Sequence, residues 1–406
     1  MTKLEKLLQE LCPEGVVYKT LGEIATDVFR GAGITRDQVR ETGTPCVRYG
    51  EIYTTYGVWF EDCVSHTDET LLTSKKYFDY GDILFAITGE SVEDIAKCCA
   101  YIGHETCLAG GDIVVLKHNE DPKYLSYALS TLDAQKQKSK GKVKSKVVHS
   151  SVPDIKAIRI PVPPLPVQRE IVRILDNFTE LTAELTAELT ARKKQYAYYR
   201  DKLLSTNNSS VPVVELRDIV KKSCSGATPA KGNAEYYENG TIPWIRTQDV
   251  RFNEITEVNS YITEKAVSET ATKWIPENCV IVAISGATAG RCAINKIKAT
   301  TNQHCLNLII DDSMALYRYV FHCLCSKYEE LISRKQGARG DLNSSLILSL
   351  PIPIPSLEVQ KRLVKVLDNF DAICSDLKIG LPAEIEARQK QYEYYRDKLL
   401  TFTPAD

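Results

Sequence analysis

Two long stretches of this chain are near copies of one another, which restricts the possible folds more than any other feature. Residues 161–204 read PVPPLPVQREIVRILDNFTELTAELTAELTARKKQYAYYRDKLL, and residues 353–400 read PIPSLEVQKRLVKVLDNFDAICSDLKIGLPAEIEARQKQYEYYRDKLL. LDNF recurs at 175–178 and 367–370, and KQY-x-YYRDKLL at 194–204 and 390–400. The period is about 195 residues, close to half of the 406-residue chain. That is too long for a solenoid repeat and implies duplication of a whole module. Each copy is expected to be a globular domain followed by a long helix.

The prolines at 161–166 and 351–357 place extended chain just before each helix. Apolar positions in the first helix run Ile171, Ile174, Phe178, Leu181, Leu185, Leu189, Tyr196, Tyr199, Leu203. In the second they run Leu363, Val366, Phe370, Ile373, Leu377, Leu381, Ile385, Tyr392, Tyr395, Leu399. Both are heptad seams interrupted by four-residue steps, and the second has one more such step. A helix of about 38 residues spans roughly 57 Å, so the expected arrangement is a pair of long antiparallel helices forming a coiled coil. The alternative is that each helix packs on its own domain. Gly380 and Pro382 predict a break in the second helix. In the first, the tandem TEL-TAEL-TAEL ends at Leu189. Its four-residue unit is close to one turn, so gain or loss of a copy lengthens or shortens the helix by about 6 Å and rotates the segment beyond it by about 40°.

The two globular halves share a skeleton. PCVRYGEI at 45–52 matches PWIRTQDV at 243–250, which sets Arg48 opposite Arg246 and Glu51 opposite Asp249. GDILFAITG at 81–89 matches NCVIVAISG at 278–286; both read as buried strands ending in a hydroxyl and a glycine turn. Further strands are expected at 111–117 and 305–310, and short helices at about 122–138 and 314–334. The fold class is therefore α/β with an internal pseudo-twofold duplication. The expected boundaries are 1–158 and 207–350 for the globular domains, and 159–206 and 351–406 for the helical regions.

Hydrophobic content of 43% and charged content of 26% are ordinary for a soluble domain. With no signal-like start and no long apolar run, the chain is expected in the cytoplasm and off the membrane. Thirteen scattered cysteines without a C-x-x-C pair suit free buried thiols. Cys98, Cys99, His104 and Cys107 lack a matched second half for a metal site. The net charge of −2 hides a local excess. Residues 136–146 carry lysine at every second position, including Lys142 and Lys144, which fits an extended segment facing a polyanion or simply a solvated loop. The matching place in the second half is also basic, at Arg334, Lys335 and Arg339. No phosphate-binding loop, methyl-donor motif or catalytic triad spacing occurs, so neither cofactor nor catalytic residue is assigned. A coiled-coil scaffold for protein partners and an enzyme with a cryptic site stay open at this point.

The doubled helices with LDNF and KQY-x-YYRDKLL, alternating with two α/β domains, resemble the specificity subunit of type I restriction-modification systems. SGATP at 225–229 and IPWIRTQDV at 242–250 resemble that family's target-recognition opening, whereas FRGAGITRDQV at 29–39 departs from it. The resemblance implies two target recognition domains, each reading half of an asymmetric, two-part double-stranded DNA site. It implies that the helices set the gap and dock two modification (methyltransferase) subunits, which restriction (translocase and nuclease) subunits join. Catalysis would reside in those partners. Arginine and glutamine read guanine and adenine edges, so Arg246, Gln248, Arg251 and Arg291 are base-reading candidates in the second domain. Arg30, Arg36 and Arg48 are their counterparts in the first; for Arg48 and Arg246, at matching places in domains expected to read different bases, the alternative is a phosphate contact or a structural role. Lys142, Lys144 and Arg339 suit phosphate. Leu181, Leu185, Leu189, Tyr196, Tyr199, Leu377, Leu381, Ile385, Tyr392 and Tyr395 are the seam and partner-facing candidates.

Overall fold

The computed structural model describes residues 2–92, 94–138, 142–144, 147–205, 210–334, 341–375 and 379–405, with the backbone alone at 142–144 and 147. The chain divides into two compact units. Unit 1 is Met1–Leu185 with Ile385–Asp406, and unit 2 is Thr186–Glu384.

Unit 1 is built on a five-stranded sheet in the order Ala25–Arg30, Ile113–His118, Ile83–Ala86, Cys98–Tyr101, Trp59–Phe60. All pairs are antiparallel except the last. The strand Ile83–Ala86 is buried along its whole length because both of its faces are covered. Ile83 and Phe85 enter one core with the helix Pro122–Leu129, while Leu84 and Ala86 enter a second core under another sheet. That second sheet contains the parallel pair Thr44–Val47 and Cys107–Ala109. Period-two alternation between two apolar layers explains the unbroken hydrophobic run.

Unit 2 repeats the main sheet strand for strand. Its main sheet runs Val220–Ser225, Cys305–Ile310, Val280–Ala283, Cys292–Asn295, Glu254–Ile255, again with only the last pair parallel. Val280 and Val282 face the core of the helix Tyr317–Ser326; Ile281 and Ala283 face the other layer. The second sheet again holds a parallel pair, Ile242–Ile245 with Ala299–Thr301. The expected strands at 81–89, 111–117, 278–286 and 305–310 all form.

One backbone device is shared although the sequences around it differ. Ala32 donates its N–H to Ala109 O (2.9 Å), and Ala227 does the same to Thr301 O (3.0 Å). The preceding glycines, Gly31 and Gly226, lie so close to the neighbouring strand that a Cβ would collide with the carbonyl oxygens of Gly110 and Thr301 respectively. FRGAG in the first half thus makes the same turn as CSGAT in the second. Gly226→Ala is expected to cost about 1–3 kcal/mol by forcing these strands apart, read as a fall in the thermal unfolding midpoint. An unchanged midpoint would show that the turn yields without strain.

The long helices are α1 (Leu165–Leu203), α2 (Leu357–Ser375) and α3 (Leu381–Leu399). The break predicted from Gly380 and Pro382 separates α2 from α3. Pro382 falls in the first turn of α3, where its missing N–H has no intrahelical partner to lose. The seam differs from the heptad reading. Val366 and Ile373 are exposed, and Leu367 and Cys374 are buried instead; likewise Leu203 is exposed and Leu204 buried. The cause is that each helix serves the adjacent domain as well as a helical partner. Val167, Ile171, Val172 and Leu175 of α1 join the core of unit 1, each burial contributing roughly 1.5–3 kcal/mol. Leu367 of α2 joins the core of unit 2.

Each domain also takes the end of the helix that does not follow it. Tyr392 and Leu400 lie in the core of unit 1, and Leu204 in that of unit 2 with Tyr196 packed against it. Phe178 stacks on Tyr395 in unit 1 (5.5 Å between centroids), and Tyr199 on Phe370 in unit 2 (6.2 Å). The phenylalanine of one LDNF therefore meets the last tyrosine of the other KQY-x-YY. The C-terminal segment closes unit 1 through Val16 N–H to Thr403 O (2.9 Å) and Ala405 N–H to Val16 O (3.0 Å).

Candidate nucleic-acid interface

The repeated motifs build a duplicated clamp that holds each helix on its domain. Gln168 and Gln360 are fully buried. Gln168 Nε2 donates to Pro163 O (2.7 Å), and its Oε1 accepts the Asp121 N–H (3.0 Å). Gln360 Nε2 donates to Pro355 O (2.9 Å), and its Oε1 accepts the Leu316 N–H (2.9 Å). Tyr124 and Tyr319 hydroxyls donate to Pro161 O (3.0 Å) and Pro353 O (2.8 Å).

The aspartates of LDNF complete the clamp. Asp176 accepts from Tyr127 (2.7 Å) and Lys123 (2.9 Å). Asp368 accepts from Arg318 Nε (2.7 Å) and lies 2.7 Å from His322 Nε2. In both units the partners stand four residues apart on the domain helix, one turn, so a single carboxylate meets both. Burial raises the Asp368 pKa, but the His322 and Arg318 hydrogen bonds outweigh it and leave the group below the usual carboxylate range. At neighbouring Asp371 burial outweighs the His322 and Arg318 charges and the Ser375 hydrogen bond, and the group is pushed up. The repeat exposed these residues, but their roles depend on partners about 50 residues away that no local pattern names.

Two of the candidate DNA-contacting residues stand at the ends of second-sheet strands. Arg48 and Arg246 occupy equivalent positions, each ending the strand of the parallel pair and opening a short helical turn. Their N–H groups donate to Glu51 (3.0 Å) and Asp249 (2.8 Å), which is why Arg-x-x-acid recurs there. Beyond the backbone they differ. The Arg48 guanidinium is ion-paired with Glu51 at 3.0 Å, and that buried carboxylate also receives Ser65 Oγ (2.6 Å). The Arg246 guanidinium lies over Trp244 (5.8 Å), and its Nε is buried without a partner among the described residues.

In unit 1, Arg36, Arg48 and Tyr49 line an open groove of about 550 Å³ whose other walls include Gly33, Gly50 and Gly111. Arg30 lies outside that lining. It is tied to Gly111 O (2.5 Å) and Asp112 (2.6 Å), and so braces one wall. In unit 2, Gln248 and Arg251 share one exposed turn, with Arg251 Nε donating to Gln248 O (2.6 Å). Arg291 follows Gly290, whose φ of 91° turns the chain into strand Cys292–Asn295. Lys142–Lys144 is a strand, as the alternating lysines predict, paired with Val147–His149 and through it with Thr88–Gly89. Arg339 and Leu377 lie outside the described residues.

Of the helix candidates, Tyr392 is buried. Leu185, Leu189, Tyr196, Leu381 and Ile385 are half-buried, and Leu181, Tyr199 and Tyr395 are exposed. All thirteen cysteines are unpaired. Among the described residues, no group of three or more His, Cys, Asp or Glu side chains is placed to hold a metal, and no helix is long and apolar enough to cross a membrane.

Duplicated α/β domains, joined by helices that dock through a repeated Gln–Tyr–Asp clamp, define a class of two-domain scaffold. A family model described as the Type I restriction modification DNA specificity domain matches this chain twice, over residues 13–192 and 208–387. The chain belongs to that family of type I restriction-modification specificity subunits. It is 40% identical over 291 residues to the EcoR124I/EcoR124II specificity subunit of Escherichia coli, covering 69% of this chain and 70% of the relative. A putative type I specificity subunit of Haemophilus influenzae is 32% identical over 279 residues, covering 65% and 68%. Among solved structures, a chain from a study of type I R-M complex assembly and conformational transition superposes with a TM-score of 0.66 at 18% identity, covering 96% of this chain and 98% of that one. The S subunit of a type I system from M. genitalium superposes with a TM-score of 0.54 at 15% identity, covering 99% of each.

Proposed function

We propose that this specificity subunit reads a two-part, asymmetric DNA sequence, one part with each α/β domain. α1 sets the separation of the parts, and the helices seat two modification subunits that carry out adenine methylation. Restriction subunits join that assembly for translocation and cleavage. No catalytic step belongs to this chain.

The observation that carries this reading is a common scaffold with unlike loop chemistry. Strand order, glycine turns and helix clamps repeat, whereas Arg30, Arg36 and Tyr49 in unit 1 have no matching side chains in unit 2, which offers Gln248, Arg251 and Arg291. Equal frames with different loop residues suit two readers of different half-sites. In this assignment Arg36, Arg246, Gln248, Arg251 and Arg291 face base edges. Arg30 and Arg48, already ion-paired, position their loops, and Lys142, Lys144 and Arg339 meet phosphates.

The test is a map of methylated adenines on DNA modified by the assembled complex, expected to return one motif with two defined parts and a fixed gap. Arg291→Ala is expected to lose about 1–3 kcal/mol of discrimination in one part and none in the other. Equal weakening on every DNA sequence would make Arg291 a phosphate contact. A motif with a single part would overturn the two-reader assignment.

A further inference from the structure

Most side chains of the repeated KQY-x-YYRDKLL segment have an internal task. Tyr196 and Tyr392 pack into the cores, Tyr199 and Tyr395 stack on the LDNF phenylalanines, and Leu204 and Leu400 are buried. Arg200 and Arg396 lie over Tyr196 and Tyr392, at 5.6 and 5.7 Å. Tyr198 and Tyr394 do none of this. They are 60% and 62% exposed, and among the described residues neither hydroxyl has a hydrogen-bond partner. Each stands edge-on to the next tyrosine, with centroids 5.3 Å apart and planes at 75° and 76°. Each carries a lysine over its ring, Lys202 and Lys398, both at 5.8 Å. The same exposed aromatic–ammonium plate is therefore built once in each unit. Flanking positions have diverged, as Ala197 against Glu393 illustrates.

We propose that the Tyr198–Lys202 and Tyr394–Lys398 plates are the two anchor points on which a pair of identical modification subunits seat, one per unit. This deepens the function proposed above and rests on it. The duplication selects the occupant. A surface present twice in one chain fits a partner bound twice. A tyrosine loses little conformational freedom on burial and is enriched at interface hot spots. The lysine beside each ring calls for an acidic group on the partner, next to an apolar recess that takes the ring. Beside Tyr394 an open hollow walled by Leu132, Glu393 and Thr401 leaves room for the partner surface around that recess.

The test uses the full-length chain and its type I modification subunit, with stoichiometry and affinity measured by light scattering and titration calorimetry. The wild type is expected to bind two copies. Tyr198→Ala and Tyr394→Ala are each expected to weaken one of the two sites by about 10–100-fold, and the double variant both. Lys202→Glu should weaken the same site as Tyr198→Ala. Thermal unfolding should move little, because each ring is mostly exposed and touches only its neighbouring tyrosine and lysine; a clearly lower midpoint with unaltered binding would return these residues to a structural role and overturn the proposal. So would two full-affinity sites in the double variant. Self-association of the chain alone that the double variant abolishes would make a second copy the occupant, and would also overturn it. Failure of the wild type to bind any modification subunit would instead sink the underlying functional reading.

Discussion

Asp368→Ala is expected to loosen unit 2 by about 2–4 kcal/mol and lower its thermal midpoint by roughly 5–15 °C. The carboxylate joins α2 to the domain helix at two points, His322 Nε2 and Arg318 Nε, both at 2.7 Å. His322 has no exposed side-chain surface, so loss of its partner leaves a polar nitrogen in an apolar setting. Its other nitrogen lies 3.3 Å from the Tyr196 hydroxyl, so α1 is tied to the same node. Arg318 keeps its second ion pair, with Glu254, which limits the damage. The Asp368 pKa is lowered in the folded state, so its stabilisation is present above the ordinary carboxylate value of about 4 and disappears as the pH falls through the lowered one. The wild-type advantage over Asp368→Ala should therefore be full at neutral pH and vanish in acid. Hydrogen exchange should place the loosening in Tyr317–Ser326 and α2. An unchanged midpoint would mean that solvent already screens this partly exposed node.

The sequence was most informative where one local pattern had one physical cause. The runs 81–89 and 278–286 read as strands because both faces are buried, and Gly380–Pro382 read as a break because proline cannot continue a helix interior. The doubled LDNF and KQY-x-YYRDKLL marked the scaffold before any contact was known. The features that stayed hidden depend on partners distant in the chain. The heptad reading gave each helix a single partner and so chose Val366 and Ile373. In the structure α2 is shared between a domain and α1, and Leu367 and Cys374 face inward. FRGAG looked unlike SGATP because the comparison fell on the missing Thr-Pro, whereas the shared element is the glycine pressed against the next strand. For the interface, residue type nominated arginines, but only geometry separated Arg30 and Arg48, held by Asp112 and Glu51, from Arg36, Arg246, Arg251 and Arg291, whose guanidinium has no acidic partner among the described residues.

Deletion of Thr186–Leu189, one TAEL unit, is expected to change the methylated motif while leaving both of its parts intact. The division between the two compact units falls within this tandem, after Leu185. The unit is one of near-identical turns, so its loss keeps the helical pattern on both sides. Leu185 takes the place of the deleted Leu189 before Thr190, and threonine hydroxyls still reach back one turn, as Thr182 does to Phe178 O at 2.9 Å. Helix propensity therefore changes little, and the stability of each domain should be preserved. The geometry of the spacer changes by about 6 Å and 40°. With DNA rising about 3.4 Å per base pair, the translation corresponds to roughly two base pairs. The rotation corresponds to about one, since a turn of DNA holds about 10 base pairs. The gap is thus expected to shorten by one or two base pairs, and the original motif to lose its methylation altogether. Methylation mapping reads both outcomes at once. A deletion variant that still methylates the original motif would show that α1 does not set the gap. One that folds but methylates nothing would show that the domains cannot follow a one-turn change together.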